Sequence, residues 1–273
     1  MRSKKKRKKR SFLAEIVGIT GLLLVLVMLI HDNKALTFTS KALPYSIHST
    51  NASASYEKGN ISESLFPTPI QPSDEKVVYL TFDDGPNEAS NDILDILQKY
   101  DAKATFFMLE PNMTTYKQSV LRMRDEGHTL ALHGVTHDQH IFYASSSSVL
   151  QELNQGQSTL ASITGEVTRL IRTPYGSIPH MTPTYRKAVQ DHDYILWDWN
   201  VDSKDWAFRD KRYVQEVMEG VHKLAGSNQP IIILMHEKTT TAAHLDLLLS
   251  QLDAEGYAFK ELTDDMDPVQ FQS

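Results

Sequence analysis

Two carboxylates stand side by side at Asp83-Asp84, followed by Gly85-Pro86. Asp-Gly-Pro is ordinary turn chemistry, but adjacent carboxylates can also divide labour, one binding a cation while the other stays free as a base. Downstream, His133 and His137 are separated by three residues. At i and i+4 on a helical turn or tight loop, two histidines can face one point. With a carboxylate from Asp84 they would make a two-His, one-carboxylate set that leaves positions open for water and substrate. Cysteine is absent, so any metal must be held by histidine and carboxylate, and no disulfide is available.

Three further segments carry polar groups that could join such a site. Arg172 opens Arg172-Thr173-Pro174-Tyr175-Gly176, and an arginine beside carboxylates can hold one of them oriented by a charge-assisted hydrogen bond. The stretch 198–206 interleaves Asp198, Asp202 and Asp205 with Trp199 and Trp206, a composition that suits a sugar-binding groove. His236 follows the apolar run 231–235, and Asp205 is an acidic partner that could raise its pKa and orient it. Taken singly, each segment has a structural explanation: a turn, a loop with packed tryptophans, a core histidine.

The elements that must position these groups alternate. Short β-rich runs at 77–82, 104–108, 129–133, 169–172, 194–197, 231–236 and 257–260 predict strands. Helical spacing is read at 90–100, 116–126, 149–163, 185–191, 213–224 and 242–255. Such alternation implies a mostly parallel α/β sheet, with functional groups at the C-terminal strand ends. Neighbouring strands lie about 4.8 Å apart, so in an open sheet five strand ends would spread over roughly 20 Å. Closure brings them around one mouth. The expected fold is therefore a distorted (β/α) barrel of about seven parallel strands. Iron oxygenases also use two histidines and a carboxylate, but on β-rich scaffolds unlike this alternation.

Together and in order, the five segments resemble the polysaccharide deacetylases of carbohydrate esterase family 4, which carry the NodB homology domain. The resemblance spans about residues 75–265. It implies a metal-dependent hydrolysis of N-acetyl groups on a glycan, with acetate released. It also implies roles: Asp83 as general base, Asp84, His133 and His137 as metal ligands, and Arg172 as the brace of the base. The Tyr175 backbone N–H would be the oxyanion donor, and Trp206 and Leu234 the walls of the acetyl pocket. Asp205 would tune His236, the general acid. The cofactor implied is one divalent metal, Zn²⁺ first, with Co²⁺ or another divalent ion as alternatives. Two positions depart from the family's pattern: Gly134 stands where Ser or Thr is usual, and Asp138 where Pro is often found. A missing hydroxyl near a ligand can weaken metal binding, and both changes bear on loop rigidity.

The N-terminal quarter reads differently. Residues 2–10 hold eight Lys and Arg, and 12–30 form an apolar stretch close to the ~20 residues needed to cross a bilayer. Positive charge before the span predicts a cytoplasmic N-terminus and an external body. No small-residue cleavage site follows Ile30, so a retained anchor is expected rather than a cleaved leader. Residues 31–74, rich in Ser, Thr and Asn with scattered Pro, read as a flexible stem with a typical span of roughly 35–40 Å. The expected organisation is a basic tail 1–11, a transmembrane helix 12–30, a stem 31–74 and a catalytic domain 75–273.

Outside the basic run, 20 Lys and Arg face 34 Asp and Glu, which leaves the remainder at −14 and argues against nucleic acid as a partner. Nothing in the sequence points to a protein partner. Given the anchor, the favoured substrate is the peptidoglycan facing a cell-surface enzyme. Chito-oligosaccharides, another acetylated polysaccharide, or a non-catalytic carbohydrate-binding role on the same fold are the alternatives.

Overall fold

The computed structural model describes residues 75–272. The expected basic tail, transmembrane helix and stem lie outside them. Among the described residues, no helix is long and apolar enough to cross a membrane.

The described chain runs β1 (Lys76–Asp83), α1 (Ser90–Lys99), β2 (Thr105–Met108), α2 (Glu110–Thr115), α3 (Lys117–Asp125), β3 (Thr129–Leu132), α4 (Gln139–Phe142), α5 (Ser146–Thr164) and β4 (Leu170–Ile171). It continues through α6 (Pro183–Asp191), β5 (Ile195–Leu196), β6 (Val201–Asp202), α7 (Asp205–Phe208), α8 (Arg212–Leu224), β7 (Ile231–His236), α9 (Thr239–Ala254) and β8 (Tyr257–Lys260). Seven strands follow the path β5-β4-β3-β2-β1-β7-β6, and β8 pairs with the first half of β1. Every pairing is parallel.

This is a half-barrel, in line with the expected distorted barrel. Among the described residues, β5 and β6 share no ladder. The C-terminal segment lines the edge at β5 instead: Asp198 N–H donates to Val269 O at 2.8 Å, and Gln270 Nε2 donates to Leu196 O at 2.9 Å.

Alternation along the strands builds two apolar layers. Val78, Leu80 and Phe82 of β1, Phe106 and Met108 of β2, and Ile231, Ile233 and Met235 of β7 face the helices. The intervening residues face the concave side, where Phe107, Ala131, Leu170, Trp197, Ile232 and Leu262 form a second buried cluster. On that side the strand ends turn polar. With a side-chain period of two, Asp83, His133, Arg172 and His236 all fall on the concave face at its C-terminal rim.

Several short elements escape the sequence periodicity. The two-residue strand β6 lies inside the acidic, Trp-bearing loop. The one-turn helices α4 and α7 are too short to show a period, and α2 carries Pro111 in its first turn, where proline is tolerated. The serine run before the predicted start of α5 is the helix's own beginning. Ser145 accepts from Ser148 N–H while Ser148 Oγ accepts from Ser145 N–H, a reciprocal cap.

Candidate metal centre and active site

Asp83 ends β1 with its side chain turned into the concave face, only 3% exposed. Arg172, fully buried after β4, donates from Nη1 to Asp83 Oδ1 at 2.9 Å and to Thr81 Oγ1 at 2.7 Å. Its other nitrogens reach Asp198 O at 3.0 Å and Trp197 O at 3.4 Å, and its guanidinium lies 4.1 Å from the Phe107 ring centre. The guanidinium is thus held on all sides and presents one donor to one carboxylate oxygen. Asp83 Oδ2 stays on the cavity side, 3.8 Å from His133 Nε2.

The next residue leaves the strand direction. Asp84 takes φ 71, in the left-handed region, which swings its carboxylate away from that of Asp83. Gly85 is required behind it, since a Cβ there would lie 1.5 Å from Glu237 Oε1. Asp84 Oδ1 then sits 3.6 Å from His133 Nε2 and 3.3 Å from His137 Nε2. His133 Nδ1 donates to Arg172 O at 2.7 Å, which leaves its Nε2 as the lone-pair nitrogen facing the aspartate.

Three observations test whether these residues fit a metal. One ligand atom from each of Asp84, His133 and His137 lies within 4.8 Å of the others. Asp84 Oδ1 is buried and has no hydrogen-bond partner. Four-coordinate zinc at about 2.0–2.1 Å separates its ligand atoms by roughly 3.3 Å, close to the separations found. A buried carboxylate oxygen without a donor is costly unless a cation takes that place, and the donor set fits a divalent ion. Burial pushes the Asp84 carboxyl up, but attraction to His133, His236 and His137 in their protonated forms and to Lys238 outweighs it and brings the pKa below the usual range. Burial and the neighbouring His133 hold the His137 imidazole below its ordinary pKa, favouring the neutral form that ligates metals.

Across the cavity, His236 ends β7 and meets Asp205 of α7. Asp205, 1% exposed, sits 2.7 Å from His236 Nδ1 through Oδ1. Its Oδ2 accepts from His236 N–H at 2.8 Å and from Thr241 Oγ1 at 2.6 Å. Burial alone would lower the imidazole pKa. The hydrogen bond and charge of Asp205 reverse that, and the pKa lies above its ordinary value. Asp205 is correspondingly held below the carboxylate range, its burial outweighed by the bond to His236. The pair therefore keeps a proton on the imidazole and leaves Nε2 for the cavity.

That cavity, about 460 Å³, is lined by every predicted site residue except Arg172 and Asp205, which stand behind Asp83 and His236. Trp206, 51% exposed, and buried Leu234 form part of its walls. Tyr175, at φ 66, donates its hydroxyl to His137 O at 3.0 Å and lays its ring 4.7 Å from the His137 ring. Trp199 and Lys238 also line the cavity; only Trp199 fell within a segment singled out in the sequence.

One expectation needs correction. Asp198 does not join a sugar groove with Asp202 and the tryptophans. It is fully buried, accepts from Ser177 N–H at 2.9 Å, from Ser177 Oγ and from Phe271 N–H at 2.8 Å, and so ties the loop after Tyr175 to the C-terminal segment. Glu237 is likewise buried behind the Asp83–Gly85 turn, bonded to Ser90, and burial pushes its carboxyl up to about 8. The buried role of neither is legible in the sequence, because a carboxylate's burial depends on what packs over it.

Residues 70–197 match the model of a family described as polysaccharide deacetylase. The chain is 44% identical over 197 residues to the putative polysaccharide deacetylase YheN of Bacillus subtilis, covering 71% of this chain and 70% of that one. It is 31% identical over 209 residues to a peptidoglycan-N-acetylglucosamine deacetylase of Bacillus cereus, covering 75% and 76%. Among solved structures, the polysaccharide deacetylase Bc1974 from Bacillus cereus superposes with a TM-score of 0.66 at 32% identity, covering 72% of this chain and 97% of that one.

Proposed function

The chain belongs to the polysaccharide deacetylase family, and from that premise we propose that it hydrolyses the N-acetyl group of N-acetylglucosamine units in peptidoglycan, in a metal-dependent reaction at the cell surface. The observation that carries the reading is the unpartnered Oδ1 of Asp84 facing two histidine nitrogens, between an arginine-held carboxylate and a carboxylate-held imidazole.

Asp84, His133 and His137 would hold the ion, with Zn²⁺ the first candidate. When bound, it supplies a Lewis acid that acidifies water and polarises the acetamide carbonyl. Asp83 accepts the proton of the attacking water on Oδ2, because Oδ1 is committed to Arg172. The Tyr175 N–H stabilises the oxyanion of the tetrahedral intermediate. Trp206 and Leu234 enclose the acetyl methyl and exclude water around it. His236 delivers its proton from Nε2 to the departing nitrogen while Asp205 holds Nδ1. The C–N bond breaks, acetate leaves, and the glucosamine left behind carries positive charge near neutral pH. A wall so modified becomes more cationic and less readily cut by lysozyme-type hydrolases.

Peptidoglycan as substrate is supported by the name of the Bacillus cereus relative and by the basic run and apolar span of residues 2–30, which would hold the body outside the membrane. Acetylated chito-oligosaccharides are the second reading. A non-catalytic role is disfavoured by the presence of Asp83 and His236, each with its supporting partner. Acetate release from peptidoglycan, chitin oligomers and acetylated xylan by the full chain, with and without added Zn²⁺, tests the proposal. No acetate from any of the three would refute it, and release from chitin oligomers alone would move the substrate to the second reading.

A further inference from the structure

The loop 133–138 joins β3 to α4 and carries both histidines of the metal centre. Its backbone is unusual at both: Gly134 beside the first has φ 93, and His137 itself has φ 48. A Cβ at Gly134 would lie 2.9 Å from Phe142 Cε2 and 3.0 Å from Glu152 Oε2, so no side chain can stand there to brace the loop from within.

The brace comes from α5. Glu152, 6% exposed, accepts Val135 N–H at 2.9 Å and Thr136 N–H at 3.1 Å on Oε2, and the Thr136 hydroxyl at 2.6 Å on Oε1. The same hydroxyl accepts Asp138 N–H at 3.2 Å. Asp138 in turn caps α4, accepting His140 N–H at 2.8 Å and Ile141 N–H at 3.3 Å. One carboxylate thus collects three donors from two consecutive residues and passes the constraint through Thr136 to the residue after His137. Charge-assisted bonds to backbone N–H groups are strong and directional, and a buried acceptor so satisfied has no competing water.

We propose that Glu152 is a positioning residue of the metal centre: it sets His137 opposite Asp84 before the ion arrives, and so raises divalent-metal affinity without touching the metal. The inference rests on reading Asp84, His133 and His137 as ligands. Gly134 and Asp138 then have a common role, the first admitting the glutamate and the second extending its network into α4.

The test is Zn²⁺ affinity of the metal-stripped full chain, by competition with a chromophoric chelator, for wild type, Glu152→Gln, Thr136→Val and His137→Ala. Glu152→Gln replaces one acceptor oxygen with an NH2 group that donates and cannot accept, and should raise the Kd by about 10-fold or more. Thr136→Val should weaken binding less, and saturating Zn²⁺ should restore most of kcat in both. If wild type binds no more tightly than His137→Ala, the metal-centre reading itself fails. If wild type binds and both Glu152→Gln and Thr136→Val keep its Kd, this inference is overturned, even where melting of the metal-free protein falls. Should Glu152→Gln fail to fold, the Kd of Thr136→Val decides alone.

Discussion

Arg172 grips Asp83 by one oxygen only: Nη1 lies 2.9 Å from Oδ1, while Oδ2 lies 3.8 Å from His133 Nε2 on the cavity side. The neighbouring Asp84 has the opposite arrangement, with a buried oxygen that no donor reaches. Two adjacent carboxylates in one turn are thereby made chemically different, the first braced and the second left for a cation.

Asp83→Asn and Asp84→Asn should therefore separate. The first removes the base and should lower kcat by about 10²-fold or more while bound Zn²⁺ stays near one equivalent. The second removes a ligand and should lose much of the metal, as should His133→Ala and His137→Ala. Metal analysis of the purified variants beside their turnover checks this. A metal-free Asp83→Asn with a fully loaded Asp84→Asn would reverse the assignment.

The pH dependence of kcat/KM should be bell-shaped, with the alkaline limb set by His236. Its folded pKa is raised, so the imidazolium persists to higher pH than an isolated histidine and is lost as pH climbs through that raised value. Asp205→Asn removes the stabilising charge and should displace the alkaline limb downward while reducing kcat. The limbs are macroscopic and belong to coupled groups, so the direction is the claim. An alkaline limb that stays put or moves upward would falsify the pairing.

Stability should respond to Glu237 in a definite sense. Its folded pKa is raised by burial from 4.5 to about 8, so between those values the folded state binds the proton that the unfolded chain releases. Folding is then progressively weakened as pH rises through that window. Glu237→Gln is neutral at every pH and can keep a carbonyl toward Ser90. Without metal, its melting temperature should gain on wild type from pH 5 to pH 8. Each 1 kcal/mol recovered corresponds to about 2–4 °C for a domain of this size. A difference in melting temperature that does not grow across the window argues that Glu237 is already ionised.

Cell fractionation should place the full chain in the membrane, with the N-terminal sequence of the mature protein beginning before residue 12. A soluble secreted form starting between residues 31 and 45 would replace the anchor with a cleaved leader.

Local chemistry was legible in the sequence. Adjacent aspartates before Gly85, histidines four apart, and polar residues closing apolar strand-like runs need only short-range spacing to be recognised, and period-two alternation puts Asp83, His133, Arg172 and His236 on one face. Which groups meet was decided by the tertiary structure. In a parallel sheet the neighbours of a strand end come from segments far apart along the chain, so alternation specifies a face and not a partner. His236 and Asp205 are 31 residues apart and Arg172 and Asp83 are 89 apart. Both pairs were reachable by combining spacing with family resemblance. Glu152, on the outer helix layer, had no such signal: its sequence context reads as an ordinary helical glutamate, and only the packing of α5 beneath the 133–138 loop turns it inward. Asp198 went the other way, from apparent groove to buried tether, because the C-terminal segment folds over the open edge of the sheet and adds a donor at Phe271 to the two from Ser177.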